Sequence, residues 1–145
     1  MTHAMGGGSV GWHTMGALSV LSGMALVGCG GLTAPELEAQ IVGSWTWIES
    51  TGGIAGVTRT PDSTGEMLAL RFESNGVVQV FRNGQFERAV GYTTTPSRDD
   101  ATLSVQYDEP LFGFDSQTVS LPDRDTLVLT DPCCDGFAYR FGRAP

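Results

Sequence analysis

The chain has 145 residues, with 16 acidic side chains against 8 basic ones and a net charge of −8. That length suits one domain plus a leader. The negative balance argues against a surface for nucleic acid or anionic headgroups, both of which attract positive charge. The only histidines, His3 and His13, precede Cys29. Residues 30–145 therefore have no imidazole for a Ser–His–Asp or Cys–His centre, or for the common zinc sites. No catalytic residue, metal or cofactor is expected.

Residues 1–28 contain no Asp, Glu, Lys or Arg. The apolar run at 15–27 suits the h-region of a signal peptide and is too short to span a bilayer. It ends in Leu26-Val27-Gly28-Cys29. This resembles the lipobox of bacterial lipoproteins: an apolar residue, small residues and then Cys, directly after the h-region. The resemblance implies that residues 1–28 are removed and that Cys29 is acylated as the first mature residue. Residues 29–36 are then the lipidated cysteine and its tether, and 37–145 the folded domain. Two or more acyl chains hold a protein stably to a membrane, so the anchor alone would supply membrane contact. Gly30 follows the cysteine where an inner-membrane retention signal would have Asp, so the expected address is the cell envelope at the outer membrane.

The tether runs into a helical turn. Thr33 can cap it, Glu36 three residues later completes a capping box, Pro35 suits a first turn, and Leu37 and Ile41 share a face. The first strand is predicted at 43–50, where Trp45 and Trp47 point to one side. Each indole can bury roughly 150–250 Å², so the sheet must curl around them. Residues 51–65 are rich in Gly, Thr, Pro and Ser and read as a long loop. Further strands are predicted at 66–73, 77–82, 85–94, 102–107, 117–121, 126–130 and 137–142, with hairpin turns at Asn75-Gly76 and Asn83-Gly84. Eight short strands without a long helix give an all-β, eight-stranded antiparallel up-and-down barrel.

Gly43-x-Trp45, on the first strand just after a helical turn, is similar to the signature of the lipocalin and calycin barrels. The resemblance extends over roughly residues 37–143 and is strongest to small lipocalin-like domains of bacterial lipoproteins. It implies a barrel that takes a small apolar or amphipathic ligand, with the 51–65 loop over the mouth. Trp45, Trp47, Leu70, Phe72, Val90, Tyr92, Leu103, Val105 and Tyr139 would then wall the site. Gly43 and Trp45 would be structural, together with a basic residue at the end of the last strand that packs on the tryptophan. Arg140 or Arg143 would fill that role, and Arg140 is the residue taken. The alternative is a filled barrel that binds another envelope protein through its loops.

Four features stay open at this level. Arg88 shares parity with Phe86, Val90 and Tyr92. It is either a cation facing a ligand carboxylate inside the barrel or, through a bulge, a solvated side chain. Leu111-Phe112-Gly113-Phe114 is either an apolar lid or the inward side of a strand. The adjacent Cys133 and Cys134 can form a strained vicinal disulfide, stay as thiols or pair between molecules. The carboxylate pairs Asp99-Asp100, Asp108-Glu109 and Asp123/Asp125 flank turns, where such groups commonly stabilise loops.

Overall fold

The computed structural model describes residues 33–97, 101–133 and 135–145. The chain forms α1 (Ala34–Ile41), β1 (Gly43–Gly52), β2 (Val57–Arg59), α2 (Pro61–Thr64), β3 (Leu68–Glu73), β4 (Val77–Arg82), β5 (Gln85–Pro96), β6 (Thr102–Leu111), β7 (Phe114–Asp123), β8 (Thr126–Thr130) and β9 (Phe137–Arg143). Strands β1 and β3 to β9 pair in order, all antiparallel, and β9 returns to β1, so eight strands close a barrel. Cys29, Asp99, Asp100 and Cys134 lie outside the described residues.

The alternation read from the sequence becomes the inside of this barrel. Leu68, Leu70 and Phe72 are buried on β3, Val78 and Val80 on β4, Leu103 and Val105 on β6, and Val119 and Leu121 on β7. One face of each strand thus supplies the core while the other faces water. Because turns alternate between the ends of an up-and-down barrel, the connections fall into two groups. At one end, the base, lie α1 and the β3–β4, β5–β6 and β7–β8 connections. At the other, the mouth, lie residues 53–67 and the β4–β5, β6–β7 and β8–β9 connections.

Three differences from the expected strands have physical causes. The predicted 51–65 loop is partly regular. β1 continues to Gly52, β2 folds back on it with Gly52 opposite Val57, and Pro61–Thr64 makes one helical turn capped by the Thr60 side chain. Second, β1 carries a bulge between Trp47 and Glu49, where it pairs with Phe141 and Arg140. Without that extra residue, strict alternation would carry Glu49 into the core after Trp45 and Trp47. The bulge places Ile48 outside, leaves Glu49 on the surface 3.8 Å from Arg140, and turns Ser50 inward. Third, β6 and β7 are longer than predicted and meet in a two-residue turn, Phe112-Gly113.

Candidate functional site

The base is a closed plug. Helix α1 is capped by Thr33, whose backbone N–H donates to the Glu36 carboxylate at 2.8 Å. Its amphipathic face buries Leu37 and Ile41. Its last carbonyls, which no turn of helix satisfies, are met by side chains instead. The Trp45 indole N–H donates to Ile41 O at 2.8 Å. Arg143 donates from Nη2 to Gln40 O at 2.8 Å and from Nε to Arg124 O at 2.9 Å, and its guanidinium lies 4.2 Å from the centroid of the Trp45 ring. A cation at a helix C-terminus and over an indole is favoured twice. Gly43 makes room for it: at φ +144° it adopts a conformation that suits glycine, and a Cβ there would sit 2.7 Å from Arg143 Nη1. The guanidinium over Trp45 therefore belongs to Arg143, and this corrects the choice of Arg140. Arg143 shares parity with Phe141 and Tyr139, whereas Arg140 has the opposite parity and is exposed.

Above the plug the interior is filled. Val78, Leu103, Val105, Val119, Leu127, Leu129 and Phe141 expose no surface, either to bulk water or to an internal void. An eight-stranded barrel is just wide enough for side chains to fill it, and these seven leave no gap around themselves. Of the residues proposed as a ligand wall, Trp47, Leu70, Phe72, Val90 and Val105 are brought together and are packed on one another at no more than 5% exposure. Tyr92 stands edge-on to Phe72 with centroids 5.2 Å apart, and its hydroxyl donates to Glu73 O. Grooves of about 630 and 420 Å³ flank α1 and the β3–β4 turn, on the outside of the base.

Toward the mouth the interior changes character. The Tyr107 hydroxyl donates to Gln117 Oε1 at 3.0 Å, Gln117 Nε2 donates to Asp131 Oδ1 at 2.7 Å, and Asp131 Oδ2 accepts the Phe137 backbone N–H at 2.8 Å. This buried chain satisfies its members in series, as buried polar groups must be. It latches the β8–β9 loop to β6 and β7. Burial first, then the Asp131 carboxylate and Tyr92, raises the Tyr107 hydroxyl pKa well above 10. The pKa of Tyr139, nearer the rim, is pushed up to about 12 by burial first and by Asp131 second, with Arg59 opposing. Among the described residues, the buried Trp47 Nε1 in this half of the barrel has no hydrogen-bond partner.

Over the polar chain lies an aromatic cluster. Phe112 stacks on Tyr139 with centroids 4.7 Å apart, Phe137 lies 6.1 Å from Tyr139, and the Arg59 guanidinium sits 4.9 Å over the Phe137 ring. Phe112 adopts φ 54° and Gly113 φ 93°. Both residues of a primed two-residue hairpin turn need positive φ, which Asn-Gly supplies readily. The β4–β5 turn uses that solution, with Asn83 at 52° and Gly84 at 76°. A phenylalanine in the same conformation is strained by about 1–3 kcal/mol and is held there by its stack. The Leu111–Phe114 stretch is thus a tight turn with Leu111 in the core, not a free lid.

The question of Arg88 also resolves here. β5 bulges at Glu87, since Val80 pairs with Arg88 and Phe81 with Phe86. Arg88 keeps the parity of Val80 and Val90 and is half-buried at the rim, where Nη2 donates to Pro110 O at 2.9 Å. It is Phe86 that the bulge turns outward, against Phe81. This corrects the shared parity assigned to Phe86 and Arg88. Phe86 is 59% exposed, and the other large apolar residues bare at this end are Ile54 at 91%, Met67 at 59% and Val57 at 46%. They occupy the β1–β2 hairpin, the residue before β3 and the start of β5, along one arc of the rim with the end of β4 between the last two. A groove of about 520 Å³ lined by Arg82, Asn83, Gln85, Phe86 and Glu87 adjoins them.

Sequence reasoning missed Gln117 and Asp131 as a linked pair, although Gln117 shares parity with the buried Val119 and Leu121. It also missed the exposure of Ile54 and Phe86. No family model matches the chain, and no curated protein or solved structure matches it either.

Proposed function

We propose that this is a lipid-anchored, non-enzymatic interaction protein of the bacterial envelope. Its barrel is a filled scaffold, and its mouth loops dock another envelope protein. The observation that carries the proposal is the concentration of exposed apolar side chains at the mouth: of the five large ones among the described residues four stand there, and the fifth, Ile48, lies on the outer face of β1. Ile54, Val57, Met67 and Phe86 all stand on mouth elements, and exposed apolar groups concentrated on one surface mark interaction sites. The gathering of Gly43, Trp45 and Arg143 at the base supports the lipocalin-like reading of the scaffold.

The anchor fits the same arrangement. On the lipobox reading, Cys29 stands four residues before Thr33, which opens α1 at the base. Four residues span at most about 14 Å. The base would then face the outer membrane at close range and the mouth would point away from it, toward proteins beyond. The membrane is contacted through the lipid only, and nucleic acid is not a partner.

Photo-crosslinking in the source cell tests this. A crosslinking side chain at Ile54 yields a protein adduct, and one at Ser44, exposed at the base, yields none. Adducts from Ser44 alone, or equally from both, contradict it. A second reading keeps a small amphipathic ligand inside the barrel, and one feature favours it: the unpartnered Trp47 N–H can serve a ligand acceptor. Native mass spectrometry separates the two. A bare mass supports the filled scaffold, and a retained small adduct supports the ligand.

A further inference from the structure

The charge around the mouth narrows the kind of partner. On the mouth half stand seven exposed carboxylates, of Asp62, Glu66, Glu87, Asp108, Glu109, Asp115 and Asp135, against Arg59, Arg82 and Arg88. Arg82 is already shared by two of them, at 2.7 Å from Glu66 and 3.2 Å from Glu87. The Arg59 guanidinium is turned over Phe137 and the Arg88 guanidinium donates to Pro110 O. The positive groups are therefore engaged within the molecule, and the exposed carboxylates are mostly free to act outward. Inside this acidic field lies the apolar rim of Ile54, Val57, Met67 and Phe86.

We infer that the mouth binds a basic amphipathic protein segment, whose apolar side chains cover the rim while its lysines or arginines face the surrounding carboxylates. This rests on the mouth reading above and adds the chemistry of the partner. Other occupants fit the charges less well. A second copy would bring an identical acidic mouth against this one, and like charges facing each other are unfavourable. An anionic bilayer surface is repelled for the same reason. A wholly apolar partner would leave the carboxylates to be desolvated without a counter-charge. Charge complementarity of this kind acts chiefly on encounter and selectivity, while the buried apolar residues hold the complex.

The test uses the protein as its host processes it and two designed amphipathic helices. They share one leucine face, and their polar face carries lysine in one and glutamate in the other. Titration followed by backbone amide NMR is expected to show binding of the lysine helix only, with shifts confined to mouth residues and weakened by salt, as screening of exposed charges requires. The double variant Ile54→Ser, Phe86→Ser should weaken that binding about tenfold or more. Both substitutions are at exposed positions, so folding is preserved. Equal binding of the two helices overturns the inference and leaves the mouth reading standing. Shifts centred on α1 and the β3–β4 turn overturn both. No binding of the lysine helix overturns the inference, and the crosslinks at Ile54 and Ser44 then decide the mouth reading alone.

Discussion

At the base, Trp45 and Arg143 are turned inward on the molecule. Trp45 has its N–H on Ile41 O and its ring under Arg143, and Arg143 directs its donors to carbonyls of α1 and the β7–β8 turn. At the mouth, 53–67 carries an apolar residue that is 91% exposed, one turn is closed by a strained phenylalanine, and a buried chain of side chains, Tyr107–Gln117–Asp131, takes the place of the side-chain bonds to backbone carbonyls found at the base. The same eight strands run through both ends. What differs is the use made of the connections: at the base they close the core, and at the mouth they leave apolar surface uncovered. The two ends of the barrel thus differ in what their connections cover.

That division makes sharp expectations for substitutions. Trp45→Ala should be the most damaging, at about 3–5 kcal/mol, because it opens a cavity and orphans Ile41 O and Arg143 together. Urea unfolding monitored by circular dichroism measures it. Arg143→Met should cost about 2–3 kcal/mol, since charged hydrogen bonds to two carbonyls and the contact with the indole are lost. Arg140→Met should cost under about 0.5 kcal/mol, because its ion pair with Glu49 is exposed and 3.8 Å long. Equal effects at the two arginines would break the comparison at its base.

The pH response should come from the tyrosines. Tyr92, Tyr107 and Tyr139 are the only three in the chain, and all have folded pKa values raised above the ordinary value of 10. A raised folded pKa means that the unfolded chain gives up the proton first. The contribution to stability is therefore fully present below pH 10 and is lost as pH rises from there through about 12. Absorbance at 295 nm should show tyrosinate appearing at higher pH in the folded protein than in the unfolded chain, and the unfolding free energy should decline as pH rises above about 10. A tyrosine that ionises below pH 10 in the folded protein would contradict the burial described for that residue.

The smallest effects on stability belong to the mouth. Phe112→Asn should shift the unfolding midpoint by less than about 1 kcal/mol. Asparagine is at ease in the left-handed conformation, and that relief offsets a stack worth about 0.5–1.5 kcal/mol. Ile54→Ser should leave stability within about 0.5 kcal/mol, as expected for an exposed position, while weakening partner capture.

Much of the scaffold was legible because alternation is a local signal. Leu68, Leu70 and Phe72 face inward as their spacing says, and so do Leu103 and Val105. Alternation even held the answer to the arginine question, since Arg143 and not Arg140 continues the parity of Tyr139 and Phe141. What it cannot see is a bulge. One extra residue at Ile48 and one at Glu87 each flip the strand beyond, and the second put Phe86 on the wrong face. The mouth was less legible still. The backbone of Phe112 is set by a turn that asks for positive φ and by a ring, Tyr139, that arrives from another strand. The Tyr107–Gln117–Asp131 chain joins residues up to 24 positions apart, beyond the reach of any spacing rule.

Native-state hydrogen exchange would test the contrast between a fixed base and a looser mouth most directly. The amides of Trp45, Leu103, Val119 and Phe141 should exchange only through global unfolding, while those of residues 111–114 and 131–137 open through smaller, local events. A single opening free energy for both ends, or a base that opens before the mouth, would contradict this division of the barrel.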